Sequence, residues 1–507
     1  MLKNDMKLAH FAILMSLLTL LLFHIPFYCF VFKNLKLTSY SGIMLIVNLI
    51  VLMIVVNALF YYLIYFLFRF IAKVLMVISF IINSVALYFI DTYGIIIDES
   101  MIGNIFNTNY SESSSYISLK LVIYIFLFGV FPSIYISKAN IILPRARRFA
   151  LVSVQTVVFI FIIVYANSNN WLWIDKNSKT LGGLAMPWSY SVNSLIFYIN
   201  NKKKTEREIL LPKATIQDNE KAVIILVIGE SARKQNFSLY GYNKNTNPQL
   251  TKLSNVYHFD AISTATYTTA GVKSILEHKK SDDLNEILPN YLYRNNVEVI
   301  WRTTNWGEPP LHIKKYQNGD ILRQNCKGVG CNYDEILLTD LEEEIQSSKN
   351  NKILVILHTS TSHGPSYNKK YPTGFEIFKP VCNSVDLANC SNQDLINAYD
   401  NTILYTDHIL STVIGKLKKM NTYKSAMIFV SDHGESLGEN NLYMHGLPIK
   451  IAPKEQYEIP FIVWISNNSI QLKSYETLSQ NHVFHSVLNF LSIKSPIYDE
   501  EMNIFIK

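Results

Sequence analysis

Hydrophobic positions are unevenly spread along the chain. Five long apolar runs, at residues 8–32, 42–68, 70–90, 119–137 and 149–166, fill the first third with almost no charge inside them. Each approaches or exceeds the roughly 20 residues that a bilayer core demands of a helix, so the pattern predicts five spanning helices. The first run is too long for a signal-peptide core and no small-residue cleavage site follows it, so it is read as an anchor. Beyond residue 220 the period changes. Short runs rich in branched residues, at 222–228, 297–301, 353–358, 427–431 and 461–466, are separated by polar loops and by helical stretches such as 397–418. Runs this apolar suit strands covered on both faces. Their alternation with helices predicts a mostly parallel, doubly wound α/β sheet.

The predicted organisation is therefore a five-helix transmembrane domain over residues 1–166, a bridging segment over 167–214 and a water-soluble domain over 215–507. In the bridge, Trp171, Trp173, Trp188 and Tyr190 are interleaved with polar residues. Amphipathic rings favour the headgroup zone, which predicts a segment lying at the membrane surface, with a linker of packed aromatics as the plainer reading. Lys202, Lys203 and Lys204 read as a solvated charge run.

Composition agrees. With 49% hydrophobic and 17% charged residues over 507 positions, intrinsic disorder is excluded. The net charge of +7 is spread too thinly for a nucleic-acid binder. Its placement sets a topology: Lys3, Lys7, Arg69, Lys73, Lys138, Arg145, Arg147 and Arg148 fall on one side of the spans. The other side carries Lys33 and Lys36 and then Asp91, Asp98, Glu99 and Glu112. By the positive-inside rule the N-terminus is cytoplasmic, and five spans place everything after Ala166 outside the cytoplasm. Cysteine usage suits export, since Cys326 with Cys331 and Cys382 with Cys390 form two local pairs, leaving Cys29 in the first apolar run. A zinc site made of these four is the weaker alternative, because neither spacing is C-x-x-C and no His lies near.

In an open α/β sheet, functional groups gather at the carboxyl ends of the strands. Here Glu230 follows the first strand, Asn305 the second, His363 the third, and Asp432 with His433 the fourth. One such residue is usually a hydrogen-bonded loop residue, but four ends carrying candidate ligands point to a metal site. The mixed oxygen and nitrogen set suits zinc, with manganese the second choice. His10, His24, His482 and His485 read as packing groups, and His358 is open between a role beside the site and a structural one.

The strings VIGESARKQNFSLYGY, SHGPSYNKKYP and SDHGESLGENNLYMHG resemble the phosphoethanolamine transferases of Gram-negative inner membranes, relatives of the transferable colistin-resistance enzymes within the alkaline phosphatase and sulfatase superfamily. The resemblance covers nearly the whole chain. It implies zinc ligands at Glu230, Asp432 and His433, with Thr266 in STATYTT as nucleophile and fourth ligand. It also implies a phosphate site at His363, His445 and Asn305, where more zinc can bind. Asn104, Thr108 and Glu112 fall on positions for the donor headgroup. A Lys of the colistin-resistance members is here Pro309, and their cysteine pair flanking the nucleophile is Ile262 and Val272.

The implied reaction moves phosphoethanolamine from phosphatidylethanolamine to lipid A, another glycan or a protein, in the periplasm. A phosphodiester repels anionic nucleophiles, and a metal offsets this by holding the nucleophile and neutralising phosphoryl oxygens. A Thr hydroxyl needs such activation, although Thr266 taken alone also reads as a helix N-cap. His363 or His445 can protonate the leaving alkoxide. Three alternatives stand beside this. A glycerol-phosphate transferase of the lipoteichoic acid synthase type would use the same chemistry. An acyl hydrolase would use Ser436 in the G-x-S-x-G string GESLG, although no Asp lies between Ser436 and His482 or His485 to act as its acid. A membrane-anchored sensor would need no metal.

Overall fold

The computed structural model describes residues 5–35, 40–107, 113–114, 116–166, 173–174, 177–204, 208–281, 283–384, 387–467 and 470–506. It divides into two compact units, Met1–Gly103 with Ile117–Ile199, and Asn104–Tyr116 with Asn200–Lys507.

In the first unit, Gly42–Leu67, Arg69–Tyr93, Leu119–Lys138 and Ala146–Tyr165 are helices long and apolar enough to cross a membrane. The first apolar run differs from the single span expected, because Leu8–Phe23 and Ile25–Asn34 meet at 64°. Pro26 explains the break: it has no N–H to give to the preceding turn, and its ring collides with the carbonyl four residues back. It is tolerated at the start of the second helix, where that N–H has no intrahelical partner. Pro132 acts similarly in the fourth run. Ile125–Val130 just before it is wound as a π-helix, and the Phe131 N–H reaches back to the carbonyl of Phe126. The helices lock through polar contacts in an apolar setting: the Thr19 and Tyr61 hydroxyls lie 2.9 Å apart, and the Ser16 hydroxyl donates to the Ile54 carbonyl at 2.7 Å. Rings of Phe66 and Phe149 stack with centroids 3.7 Å apart. Beyond the last span, Ser178–Leu184 and Trp188–Lys204 are helical. Aromatic residues of the second bond to spanning helices, Trp188 Nε1 to Asn57 Oδ1 at 2.8 Å and the Tyr190 hydroxyl with Ser79 Oγ at 3.1 Å.

The second unit is built on an eight-stranded sheet: β1 (Ala222–Gly229), β2 (Val256–Ile262), β3 (Glu298–Thr303), β4 (Lys315–Asn318), β5 (Lys352–His358), β6 (Lys424–Ser431), β7 (Glu458–Ile465) and β8 (Leu478–Ser479). Across the sheet the order is β8-β2-β7-β6-β1-β5-β3-β4. Every pairing is parallel except those of β7, which runs against both β2 and β6. All of β1 and β5 is buried, as continuous apolar runs in a covered sheet should be. The strand predicted at 461–466 is therefore present but reversed, so its carboxyl end lies away from the other four. The apolar pattern did not reveal β2 and β4, because Tyr257, His258 and Asp260 interrupt the one and KYQN has no apolar stretch.

The long helix Asn392–Lys419 packs on this sheet. The Ser391 side chain caps its start by accepting from the Asp394 N–H, and Lys416, Lys418 and Lys419 sit in its last turn, where cations complement the helix dipole. Disulfides join Cys326 to Cys331 and Cys382 to Cys390, as the spacing led us to expect.

Candidate active site

The central strands bring their carboxyl ends side by side. β1 and β6 are parallel neighbours with Gly229 opposite Ser431, so the next residues, Glu230 and Asp432, emerge together. On the other flank of β1, Ile228 pairs with His358, and His358 pairs with Thr303 of β3. Loops carrying His363 and Asn305 thus open onto the same end of the sheet.

Glu230, Asp432 and His433 are all buried. Glu230, His433 and His445 each offer one ligand atom, and these atoms lie within 4.8 Å of one another. The Glu230 and Asp432 carboxylates stand 3.5 and 3.4 Å from His433 Nε2. His433 Nδ1 lies 2.8 Å from the Gly434 carbonyl, which can only accept, so the ring proton sits on Nδ1. Burial, with the His445 ring beside it, pushes the His433 pKa down to about 3, so the ring is neutral and Nε2 carries a lone pair. That lone pair faces oxygens of two carboxylates. Asp432 Oδ1 accepts from the Ser231 and His433 N–H groups, while Oδ2 is buried without a hydrogen-bond partner among the described residues. Burial opposes ionisation of both acids, and the neighbouring Glu230 carboxylate pushes the Asp432 pKa further up. Convergent lone pairs and an orphaned carboxylate oxygen fit a divalent cation.

Around this cluster, Asn305 Nδ2 donates to Glu230 Oε2 at 2.7 Å and to the Thr359 carbonyl at 2.9 Å. The rings of His363 and His445 are 5.4 Å apart, centroid to centroid, and those of His433 and His445 4.2 Å. His445 Nδ1 lies 3.3 Å from each oxygen of Glu435, which orients the ring and leaves Nε2 to face a ligand. His445, expected from the sequence at the phosphate site, therefore joins Glu230 and His433 in one cluster. Thr266 is buried, and its hydroxyl donates to the carbonyl of Leu447 at 2.5 Å, two residues beyond His445. The Gly446 N–H bonds the Thr266 carbonyl at 2.8 Å. The helix Thr268–Leu276 begins two residues after Thr266 and is capped by Tyr267, so Thr266 is not its N-cap, and the open N–H groups of its first turn lie close by in the chain. Asn104 belongs to the helix Glu99–Asn107, while Thr108 and Glu112 lie outside the described residues.

Sequence reasoning missed three contributors. The Thr268 hydroxyl is 3.4 Å from Glu230 Oε2 and 3.3 Å from His433 Nε2. Ser231, held at φ +52°, donates from its hydroxyl to Glu230 Oε1 at 2.7 Å. Glu435 had registered only as a letter of the G-x-S-x-G string. Ser436 of that string accepts from Gln456 Nε2 at 2.9 Å and, among the described residues, has no histidine partner, so the structure does not supply an acyl hydrolase's base. His482 and His485 bond within their own surroundings, to Ser479 and to the His278 carbonyl. His358 is fully buried, with Nδ1 3.7 Å from Glu308.

Comparison with known proteins places this geometry. Residues 222–493 match the Sulfatase family, and residues 52–202 match the family described as Phosphoethanolamine transferase EptA/EptB. The phosphoethanolamine transferase EptA of Helicobacter pylori is 38% identical over 96% of this chain and 93% of its own length. The integral membrane lipooligosaccharide phosphoethanolamine transferase A of Neisseria meningitidis superposes with a TM-score of 0.87 at 25% identity, over 99% of this chain and 98% of that one. The C-terminal periplasmic domain of phosphoethanolamine transferase EptC from Campylobacter jejuni matches at 34% identity and a TM-score of 0.52, over 59% of this chain and 97% of its own. With its apolar helices, its sulfatase-type sheet and a buried carboxylate and histidine cluster at the strand ends, the chain is a membrane protein that belongs to the phosphoethanolamine transferase family.

Proposed function

We propose that this protein transfers phosphoethanolamine from phosphatidylethanolamine to an envelope acceptor, lipid A or another glycan or protein, from the periplasmic face of the inner membrane. The observation that carries the reading is the lone pair of His433 Nε2 converging with the carboxylates of Glu230 and Asp432, in a chain that aligns along nearly its whole length with a phosphoethanolamine transferase.

Glu230, Asp432 and His433 would hold a zinc ion, with Thr266 as the fourth ligand and His445 within reach. When bound, that ion would supply charge neutralisation and lower the pKa of a coordinated hydroxyl. The remaining work belongs to the chain. The Thr266 hydroxyl attacks the donor phosphorus, the bond to the diacylglycerol oxygen breaks, and phosphoethanolamine is left esterified to Thr266. His363 or His445 relays the proton that Thr266 gives up to the leaving alkoxide, so diacylglycerol departs as the alcohol. An acceptor hydroxyl or phosphate then attacks the same phosphorus and frees Thr266. Asn305 is placed to orient Glu230, and Glu435 to keep the His445 ring in register. A lipid donor explains the membrane spans, since confinement to two dimensions keeps it close to the anchored enzyme.

The donor is tested by supplying phosphatidylethanolamine labelled in ethanolamine and phosphatidylglycerol labelled in glycerol to the full chain in lipid vesicles with lipid A. Transfer of the ethanolamine label is the expected result. Transfer of the glycerol label instead would favour the lipoteichoic acid synthase type of reaction. Topology has its own test, motivated by basic residues on alternate sides of the spans. A reporter active only in the periplasm should be active when fused after Lys507 and silent when placed near Arg145, and the reverse pattern would refute it.

A further inference from the structure

We infer that Asp334 is a positioning residue that locks the loops bearing Asn305 and His363 into a single arrangement, an inference that rests on the transferase reading above. Asp334 lies outside every motif named so far. It is 3% exposed and, among the described residues, no cation pairs with it. Its carboxylate instead accepts from two different strand-end loops. From the loop after β3, the Thr304 hydroxyl donates to Oδ1. From the loop after β5, the Ser360 N–H donates to Oδ2 at 2.9 Å, the Ser360 hydroxyl to Oδ1 at 3.2 Å, and the Thr361 hydroxyl to Oδ2. Four donors on one carboxylate use most of its acceptor capacity, which a neutral side chain cannot match.

The geometry carries this further than a satisfied buried acid. Thr304 is followed at once by Asn305, whose amide reaches both Glu230 and the Thr359 carbonyl, so Asn305 is tied to the second loop as well. The Ser360 carbonyl accepts from the His363 N–H at 3.4 Å, so fixing Ser360 fixes the turn that presents His363. Asp334 itself is held from outside. Arg302 on β3 donates to the Leu337 and Thr339 carbonyls at 2.8 and 2.6 Å, anchoring the turn that Asp334 begins. The Glu335 N–H donates to the Tyr405 hydroxyl of the long helix at 3.2 Å. The carboxylate is thus a fixed post that adds four donors to the two other ties between these loops, the Asn305 amide on the Thr359 carbonyl and the Thr304 N–H on the His358 carbonyl, and the groups they carry meet at the proposed phosphate site. A displacement of 1 Å there is worth about 100-fold in rate.

A double-mutant cycle separates this role from general stabilisation. Diacylglycerol release from phosphatidylethanolamine, with lipid A present as acceptor, is measured with the full chain in detergent micelles for wild type, Asp334→Asn, His363→Ala and the pair. The expected result is a loss in kcat of about 10- to 100-fold for Asp334→Asn with metal content and KM unchanged. On the His363→Ala background the same change should cost at least about threefold less than on wild type, because one of the two groups it positions is gone and only Asn305 remains to be displaced. Equal losses on both backgrounds, or no loss on wild type, would overturn the inference. If Asp334→Asn fails to fold, Thr361→Val takes its place in the cycle, since it removes one donor and leaves the carboxylate satisfied by the others. If wild type releases no diacylglycerol, the transferase reading fails, while the cycle run on bis(p-nitrophenyl) phosphate still tests the lock.

Discussion

Thr266→Ala is expected to lower turnover on phosphatidylethanolamine by on the order of 10⁴-fold or more, because it removes the only atom proposed to bond to phosphorus. The fold should survive. The side chain is buried, but its one described hydrogen bond is to the Leu447 carbonyl, and the backbone bond from the Gly446 N–H to the Thr266 carbonyl is untouched. Thr266→Ser should keep measurable activity, since the hydroxyl remains and only a methyl group is lost. Thr268→Ala is the informative control: its hydroxyl touches Glu230 and His433, so it should weaken the site without abolishing the covalent step. Activity assays on purified full chain decide among these, and near-wild-type turnover by Thr266→Ala would remove the residue from the mechanism.

His433→Ala is expected to cost at least about 100-fold in zinc affinity, more than the loss of a supporting hydrogen bond to a ligand. Nε2 is the atom on which both carboxylates converge, at 3.5 and 3.4 Å. Without it, Glu230 and Asp432 face each other with nothing between them, and repulsion should be relieved by one of them taking up a proton. Metal analysis after exhaustive dialysis is the direct measurement, and a variant that retains its full zinc content would exclude His433 as a ligand. His445→Ala is a useful companion, because His445 shares the 4.8 Å cluster with Glu230 and His433 although the sequence had assigned it to the phosphate site. A loss of tight zinc in both variants would enlarge the ligand set.

Much of this site was legible because its candidate ligands are tied to the strongest pattern in the soluble part. Glu230 and Asp432 each follow directly on a strand so apolar that its end is unmistakable, and two parallel neighbours in register bring the next residues together. The same logic located Asn305 and His363. What stayed hidden depends on loop shape. Ser231, Thr268, Glu435 and Asp334 have ordinary identities in polar stretches, and only the folded loops turn them inward. In the membrane part, hydropathy saw one continuous run from residue 8 to 32, since Pro26 is apolar enough to pass. The lost N–H acts on geometry and not on hydropathy, so the 64° bend was invisible. The reversal of β7 was unreadable for a related reason: a strand buried on both faces looks the same in either direction.

The central claim is that Thr266 carries the transferred group. Full chain in micelles, incubated with phosphatidylethanolamine and no acceptor, should give a peptide containing Thr266 heavier by one phosphoethanolamine, released together with diacylglycerol and discharged when lipid A is added. Fragmentation of that peptide should locate the added group on Thr266. An adduct on Thr264, Thr268 or Thr269, or diacylglycerol released with no adduct at any time, would contradict the account.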